Sequence, residues 1–286
     1  MSSIQTPLQK AEAAIAEADY ILIGAGAGLS TESGINYSGP EFEAAFKDMI
    51  GRYGFTDLYT SSFYPFKTEE EKWAYWSRHI YYARFAPEAK PLYKGLMEIV
   101  QGKEYFVITT NVDGQFIKTG FDPDKVFEVQ GDYGLMQCAT ACHPRRYSNE
   151  SLVKQMVEQQ INCRVPSDLV PTCPVCGGPM EINVRKDQFF VEDERWHALA
   201  HRYYEFVAKA SEKKLVLLEY GVGYNTPTII RFPFERMAAE LPHTTLIRIN
   251  KDYPDCLTPE VKNYISLRTG PIRKITICRR KDITKF

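Results

Sequence analysis

The feature that most narrows what this chain can fold into is a four-residue apolar run, Tyr20-Ile21-Leu22-Ile23, that opens directly into Gly24-Ala25-Gly26-Ala27-Gly28. A strand without polar alternation has no face to give to water, so it belongs inside a parallel sheet covered by helices on both sides. A glycine-rich turn at the carboxyl end of such a strand is where a doubly wound α/β sheet presents a ligand site. The arrangement recurs. Tyr105-Phe106-Val107-Ile108 runs into Thr109-Thr110-Asn111-Val112-Asp113-Gly114, Val126–Val129 into Gln130-Gly131, and Leu215–Glu219 into Gly221-Val222-Gly223. Helical patterns lie around these runs: Thr6-Pro7 as cap and first position of an apolar stripe reaching Ala18, then residues 192–210 and 228–240, with a further strand at 245–249. The expected fold class is α/β, a doubly wound parallel sheet.

Two stretches break this rhythm. Residues 41–95 crowd aromatics such as Phe42, Phe46, Phe55, Trp73, Tyr75 and Trp76 at spacings near three and four, which reads as a helical insertion with a small core of its own. Residues 136–186 carry Cys138-x3-Cys142 and Cys173-x2-Cys176 with a largely polar helix between the pairs. The sheet domain is then assembled from 1–40, 96–135 and 187–286. Two tight cysteine pairs at this separation suit a tetrahedral Zn2+ held by four thiolates, a closed shell that braces a fold and leaves no position for chemistry. A redox Cys-x-x-Cys needs a helix N-terminus to lower the thiol pKa, and Gly177-Gly178-Pro179 begins no helix. Cys163, Cys256 and Cys278 stand apart and read as small buried hydrophobes. His197 and His201 have metalloprotease spacing, but Ala198 occupies the place of the glutamate base, so they read as ordinary surface or interface histidines.

Lys and Arg number 35 against 36 Asp and Glu, with no block of like charge, so nothing electrostatic calls for nucleic acid or a membrane surface. Arg279, Arg280 and Lys281 read as a solvated tail. The first ten residues lack a basic start and apolar run, and no stretch approaches the roughly 20 apolar residues of a membrane span. Seven cysteines, an odd number, argue against a fully paired disulfide framework. A soluble, cytoplasmic protein is expected.

The glycine turn is not the dehydrogenase fingerprint, because Leu29 stands where the third glycine would fall. Its companions give it meaning. Gly24-Ala25-Gly26 with Ser30 and Gly34-Ile35 resembles the GAGxS…GIPDFR segment of the sirtuin family. Thr109-Thr110-Asn111-Val112-Asp113 resembles its TQNID motif, with Gly120 as the trailing glycine. Gly221-Val222-Gly223 resembles the GTS turn, and Ile249-Asn250 the pair that meets the adenosine ribose. The likeness runs in order over nearly the whole chain. It implies a Rossmann-like domain and a small zinc-binding domain, with NAD as cosubstrate between them. Amides at Gly24–Gly26 would cradle the phosphates, Asn111 would orient a water or ribose hydroxyl, and Asp113 would hold the nicotinamide carboxamide. Cofactor contacts would extend to Tyr37, Val222 and Asn225.

One departure changes the expected activity. Where deacylating sirtuins end the strand before the zinc module in His-Gly, this chain has Gln130-Gly131. The histidine is a general base with a pKa near neutrality; a glutamine amide only donates and accepts hydrogen bonds. Losing a general base costs about 10²–10⁴ in rate, so lysine deacylation should be crippled. Transfer of ADP-ribose to a protein nucleophile asks less, because the first bond can break through positioning and the acceptor brings the attacking atom. Asn111 and Gln130 are the expected catalytic pair. Asn36-Tyr37-Ser38-Gly39 in place of PDFR, and Thr110 in place of the TQNID glutamine, resemble class M sirtuins, which accompany macrodomain proteins. That resemblance implies a mono-ADP-ribosyltransferase acting on a lipoyl-carrier protein related to the glycine-cleavage H protein, with the macrodomain protein as eraser. The alternatives are an NAD-dependent lysine deacylase with a substitute base and, outside enzymes, an NAD-binding sensor module.

Overall fold

The computed structural model describes residues 5–268; Cys278 and the basic cluster at 279–281 lie outside the described residues. The chain enters through a helix at Pro7–Glu17. Thr6 accepts from the Gln9 amide while the Gln9 side chain accepts from the Thr6 amide, satisfying two helix-end donors at once. Nine strands follow in the described residues: β1 (Tyr20–Ala25), β2 (Glu104–Thr109), β3 (Val126–Glu128), β4 (Gly131–Cys138), β5 (Arg146–Ser148), β6 (Met180–Val184), β7 (Leu215–Tyr220), β8 (Thr244–Ile249) and β9 (Tyr264–Leu267).

Six of these form one sheet in the order β3-β2-β1-β7-β8-β9, with every pairing parallel. The order reverses between β1 and β7, the position where doubly wound sheets open a ligand crevice. Register sharpens this. Ala25 lies opposite Thr109 and Tyr220, Thr109 opposite Glu128, Tyr220 opposite Ile249, and Ile249 opposite Leu267. The strands therefore stop on one line, and the segments that follow them gather on a single rim.

Alternation along β1 explains its two-sided burial. Ile21, Ile23 and Ala25 pack with the helices Pro7–Glu17 and Pro91–Val100, while Leu22 packs with the helices Glu194–Ala210 and Arg231–Glu240. The helix Pro91–Val100 buries Tyr93, Leu96, Ile99 and Val100 against the sheet, as a crossover helix does, and it begins before residue 96.

Strands β4–β6 make a separate antiparallel sheet in the order β5-β4-β6. Because β4 begins at Gly131, the small sheet starts immediately after Gln130. The aromatic segment does not keep a core to itself. Phe42, Phe46, Phe55, Trp73 and Tyr75 share one cluster with Val153, Met156, Met180 and Cys173 of the cysteine-bearing segment. Its last helical turn, Tyr81–Phe85, is a π-helix, a local widening frequent at functional sites. From it Arg84 reaches Asp132 on β4 through Nε at 2.8 Å and Nη2 at 3.2 Å. No helix among the described residues is long and apolar enough to cross a membrane.

Candidate active site

At the switch point the loops after β1 and β7 cross backbone to backbone. Gly26 N–H donates to Tyr220 O at 3.0 Å and Gly28 N–H to Gly221 O at 2.9 Å. A side chain on Gly26 would meet Val222 Cα at 2.8 Å, one on Gly28 would meet Gly221 Cα at 2.7 Å, and Gly221 holds φ at +62°. These glycines are required by close approach. Gly24 lies lower, where an added methyl would strike Ile230 and Phe234 at 2.6 Å. Gly24 and the buried Ala25 do not line the opening. The amides at residues 24–26 are thus spent on the sheet and the neighbouring loop.

The crossing leaves a cleft of about 700 Å³, within the usual size of a small-molecule site. Gly26, Gly221, Val222, Asn225, Ile249 and Asn250 line it, all residues expected at the site. Asn250 Nδ2 donates to Val222 O at 2.8 Å, and its Oδ1 accepts from the amides of Asp252 and Tyr253. The side chain therefore staples the loops after β7 and β8 together.

A second group of expected residues collects beneath the loops after β1 and β2. Asn111 is anchored by its own N–H to Thr109 Oγ1 at 3.0 Å, and its Nδ2 donates to Gly26 O at 3.1 Å. Ser30 Oγ donates to Asp113 Oδ2 at 2.5 Å, and Asp113 Oδ1 accepts from Gln115 N–H at 3.0 Å. Burial pushes the Asp113 carboxyl above its ordinary pKa, against the opposing pull of the Ser30 and Gln115 donors. Tyr93 completes the group: its hydroxyl lies 3.2 Å from Ser30 Oγ and 3.4 Å from both Asp113 Oδ2 and Asn111 Nδ2. The sequence reading missed Tyr93, which looks like one more core aromatic on a crossover helix. Gly34 and Ile35 sit one turn away, with Ile35 N–H donating to Ser30 O at 3.0 Å.

Gln130 follows β3. Hydrogen bonds from Val129 N–H to Thr109 O at 3.1 Å and from Tyr133 N–H to Val112 O at 3.0 Å lash this segment to the Asn111 loop on both sides of Gln130. Its Oε1 is buried without a hydrogen-bond partner, a free acceptor at the rim. Such an atom is costly unless something binds it.

Among the histidines, two come into question as a substitute base, His143 and His79. His143 lies in the cysteine module, with Nδ1 at 3.1 Å from Cys142 Sγ and Nε2 at 2.8 Å from Tyr147 Oη. His79 was not anticipated. It is fully buried, stacked on Trp76 with centroids 5.1 Å apart and packed against Tyr37 and Tyr133, whose hydroxyls lie 3.2 Å apart. Burial pulls its pKa down to about 3, too low for an effective proton acceptor near neutrality. His197 and His201 are exposed, beside Glu192 and Glu205.

The cysteines converge. Cys138 Sγ lies 3.7 Å from Cys176 Sγ, and Cys142 Sγ 3.7 Å from Cys173 Sγ. A tetrahedron with metal–sulfur bonds of about 2.3 Å has edges of about 3.8 Å, so the donor set fits zinc. Backbone amides of Thr140 and Cys142 face the Cys138 sulfur, and those of Val175 and Cys176 face Cys173. His143 is a further nitrogen donor within 4.8 Å of Cys138, Cys142 and Cys173. Cys163 is buried, whereas Cys256 is only partly so.

Comparison with known proteins agrees with this architecture. The Sir2 family model matches residues 26–217. A protein ADP-ribosyltransferase of Staphylococcus aureus (strain Mu50) is 38% identical over 83% of this chain and 76% of its own length. A probable bifunctional ADP-ribose hydrolase/ADP-ribosyltransferase of Fusarium oxysporum f. sp. cubense is 29% identical over 89% of this chain, but only 44% of that longer protein is matched. The crystal structure of a Sir2 homologue–NAD complex superposes with a TM-score of 0.59, covering 96% of this chain and 94% of the other at 17% identity, a likeness of fold. With the family model covering more than half of its residues and a relative 38% identical over most of both chains, this chain belongs to the Sir2 family.

Proposed function

We propose that the chain is an NAD-dependent protein mono-ADP-ribosyltransferase that releases nicotinamide and transfers ADP-ribose to a lipoylated carrier protein of the glycine-cleavage H type. The observation that carries this reading is Gln130. An amide with a buried, unpartnered oxygen follows β3, lashed to the Asn111 loop, and His79 is held too weakly basic to replace a general base. Such an amide orients a hydroxyl or an acceptor without taking its proton. The Staphylococcus relative's name supports transferase activity. The bifunctional Fusarium relative supports pairing with an ADP-ribose hydrolase, for which a macrodomain protein is the candidate.

In this reading the roughly 700 Å³ cleft takes the adenosine diphosphate portion, and the Ser30–Tyr93–Asn111–Asp113 group receives the nicotinamide riboside end. Asn111 and Gln130 hold the ribose hydroxyls, and Asp113 meets the carboxamide. Cleavage of the nicotinamide–ribose bond leaves a cation-like anomeric carbon for the acceptor to capture. The zinc braces the cysteine module and takes no part in the chemistry. The unpaired thiols Cys163 and Cys256 suit a reducing compartment, the cytoplasm.

Incubation with labelled NAD and a lipoylated carrier should label the carrier. Asn111→Ala should abolish the label and Gln130→Ala should weaken it. Brisk release of O-acyl-ADP-ribose from acylated peptides, with the carrier unlabelled, would establish deacylation instead.

A further inference from the structure

We infer that Arg231 is a positioning residue for the cleft: its buried guanidinium locks the loops after β7 and β8 into one register. The ligand rests on the NAD reading above; the geometry stands without it.

Arg231 opens the helix Arg231–Glu240 and is 1% exposed, so it cannot touch a ligand in the cleft. Its fork reaches carbonyls of both loops from below. Nη1 donates to Val222 O at 3.4 Å and to Tyr253 O at 3.2 Å, and Nη2 donates to Tyr253 O at 3.2 Å and Asp255 O at 2.9 Å. Val222 belongs to the loop after β7, whereas Tyr253 and Asp255 belong to the segment after β8. The guanidinium also lies 4.5 Å from the centre of the Tyr224 ring, which meets Tyr253 edge-on at 5.0 Å. This half-exposed aromatic pair lines the cleft. Asn250 and Arg248 share two of these oxygens, donating to Val222 O at 2.8 Å and Asp255 O at 2.7 Å, and Arg231 is the cation that reaches both loops at once and adds Tyr253 O.

Arg231 belongs to a charge-balanced buried quartet. Glu219 and Arg248 are register partners on β7 and β8 and pair in a bidentate fork at 2.7 and 2.9 Å. Arg248 also reaches Glu235 at 2.8 Å, and Arg231 lies 3.6 Å from Glu219 and 4.0 Å from Glu235. Removing four charges from water is costly, and well-packed apolar side chains of similar volume often serve stability as well. What an apolar residue cannot do is hold three carbonyl oxygens of two loops at fixed places. Lysine keeps the charge but replaces the planar five-donor fork with a point. Arg231→Lys therefore separates charge balance from positioning. A preformed wall also lowers the ordering cost of binding.

The test compares wild type with Arg231→Lys in the full zinc-loaded chain. In the ligand-free proteins, amide hydrogen exchange at residues 221–226 and 251–256 should accelerate in both loops together in the variant. ADP-ribose should then bind at least tenfold more weakly and KM for NAD should rise similarly, with kcat within twofold. A variant that merely melts earlier, while loop exchange and ADP-ribose affinity stay at wild-type values, overturns the inference, as does acceleration in one loop only. A wild-type protein that binds no ADP-ribose would defeat the NAD reading, and the exchange measurement would still decide this one. Should Arg231→Lys not fold, wild-type crystal structures with and without ADP-ribose decide: the three carbonyls must stay within hydrogen-bond reach of Arg231 in both, and a guanidinium that swings away refutes the role.

Discussion

Replacing Gly221 with alanine probes the loop crossing on which the cleft depends. At φ +62° the new residue would occupy the left-handed region, at a cost of roughly 1–2 kcal/mol for an L-amino acid. Its methyl would lie 2.3 Å from Leu29 N, 2.5 Å from the Gly28 carbonyl carbon and 2.6 Å from Gly28 Cα, all backbone atoms that cannot rotate aside. Comfortable contact begins near 3.5 Å, so the loops must part by about 1 Å. That movement strains the Gly28-to-Gly221 and Gly26-to-Tyr220 hydrogen bonds, each contributing about 0.5–1.5 kcal/mol. Together these losses come to about 2–5 kcal/mol. At roughly 2–4 °C per kcal/mol for a chain of this size, Tm should fall by about 10 °C. Thermal unfolding followed by circular dichroism reads the loss, and calorimetric titration should show NAD affinity falling with it. Gly223 is the comparison: nothing lies within 4 Å of its would-be methyl, and Gly223→Ala should stay within about 0.5 kcal/mol of wild type. If Gly221→Ala melts with wild type and binds NAD equally, the close-approach argument is wrong.

The remaining predictions concern metal and protons. Cys173→Ser should lose stoichiometric zinc. Because Cys173 shares its core with Trp73 and Phe42, near-UV circular dichroism should report loosening of the aromatic segment too; an unchanged aromatic signal would separate the two. His79 is held at a pKa of about 3, whereas an unfolded histidine titrates near 6.5. The unfolded state then binds the extra proton as pH falls, so stability is full above about pH 6.5 and declines below it. Between pH 7 and 5 the loss should be about 2 kcal/mol, read by urea unfolding, and absent in His79→Phe; equal pH slopes for the two proteins would contradict it. Asp113→Asn removes the charged acceptor of Ser30 and should raise KM for NAD more than it lowers stability. A pure stability effect would remove Asp113 from the site.

How much of this was legible in the sequence follows the range of each interaction. The parallel strands could be read because two-sided burial writes itself locally as unbroken apolar runs such as Ile21-Leu22-Ile23 and Leu215–Leu218. The cysteine centre could be read because ligand spacing is local within each pair. Asn111, Asp113 and Gln130 could be placed near the site because each follows a strand, and parallel strands ending on one line bring their followers together. The expected boundaries were less sharp, since β4 starts at Gly131 and the crossover helix at Pro91.

The sequence by itself determined the layer order, the rim of candidate site segments and the candidate metal donors, because those depend on periodicity and short spacings. Only the tertiary structure decided that Tyr93 joins Ser30, Asn111 and Asp113, that the aromatic and cysteine segments share one core, and that Arg231, Glu219, Arg248 and Glu235 form a buried quartet. Each of these joins side chains far apart along the chain. Their chemistry is set by desolvation and geometry, which exist only once the chain has closed on itself.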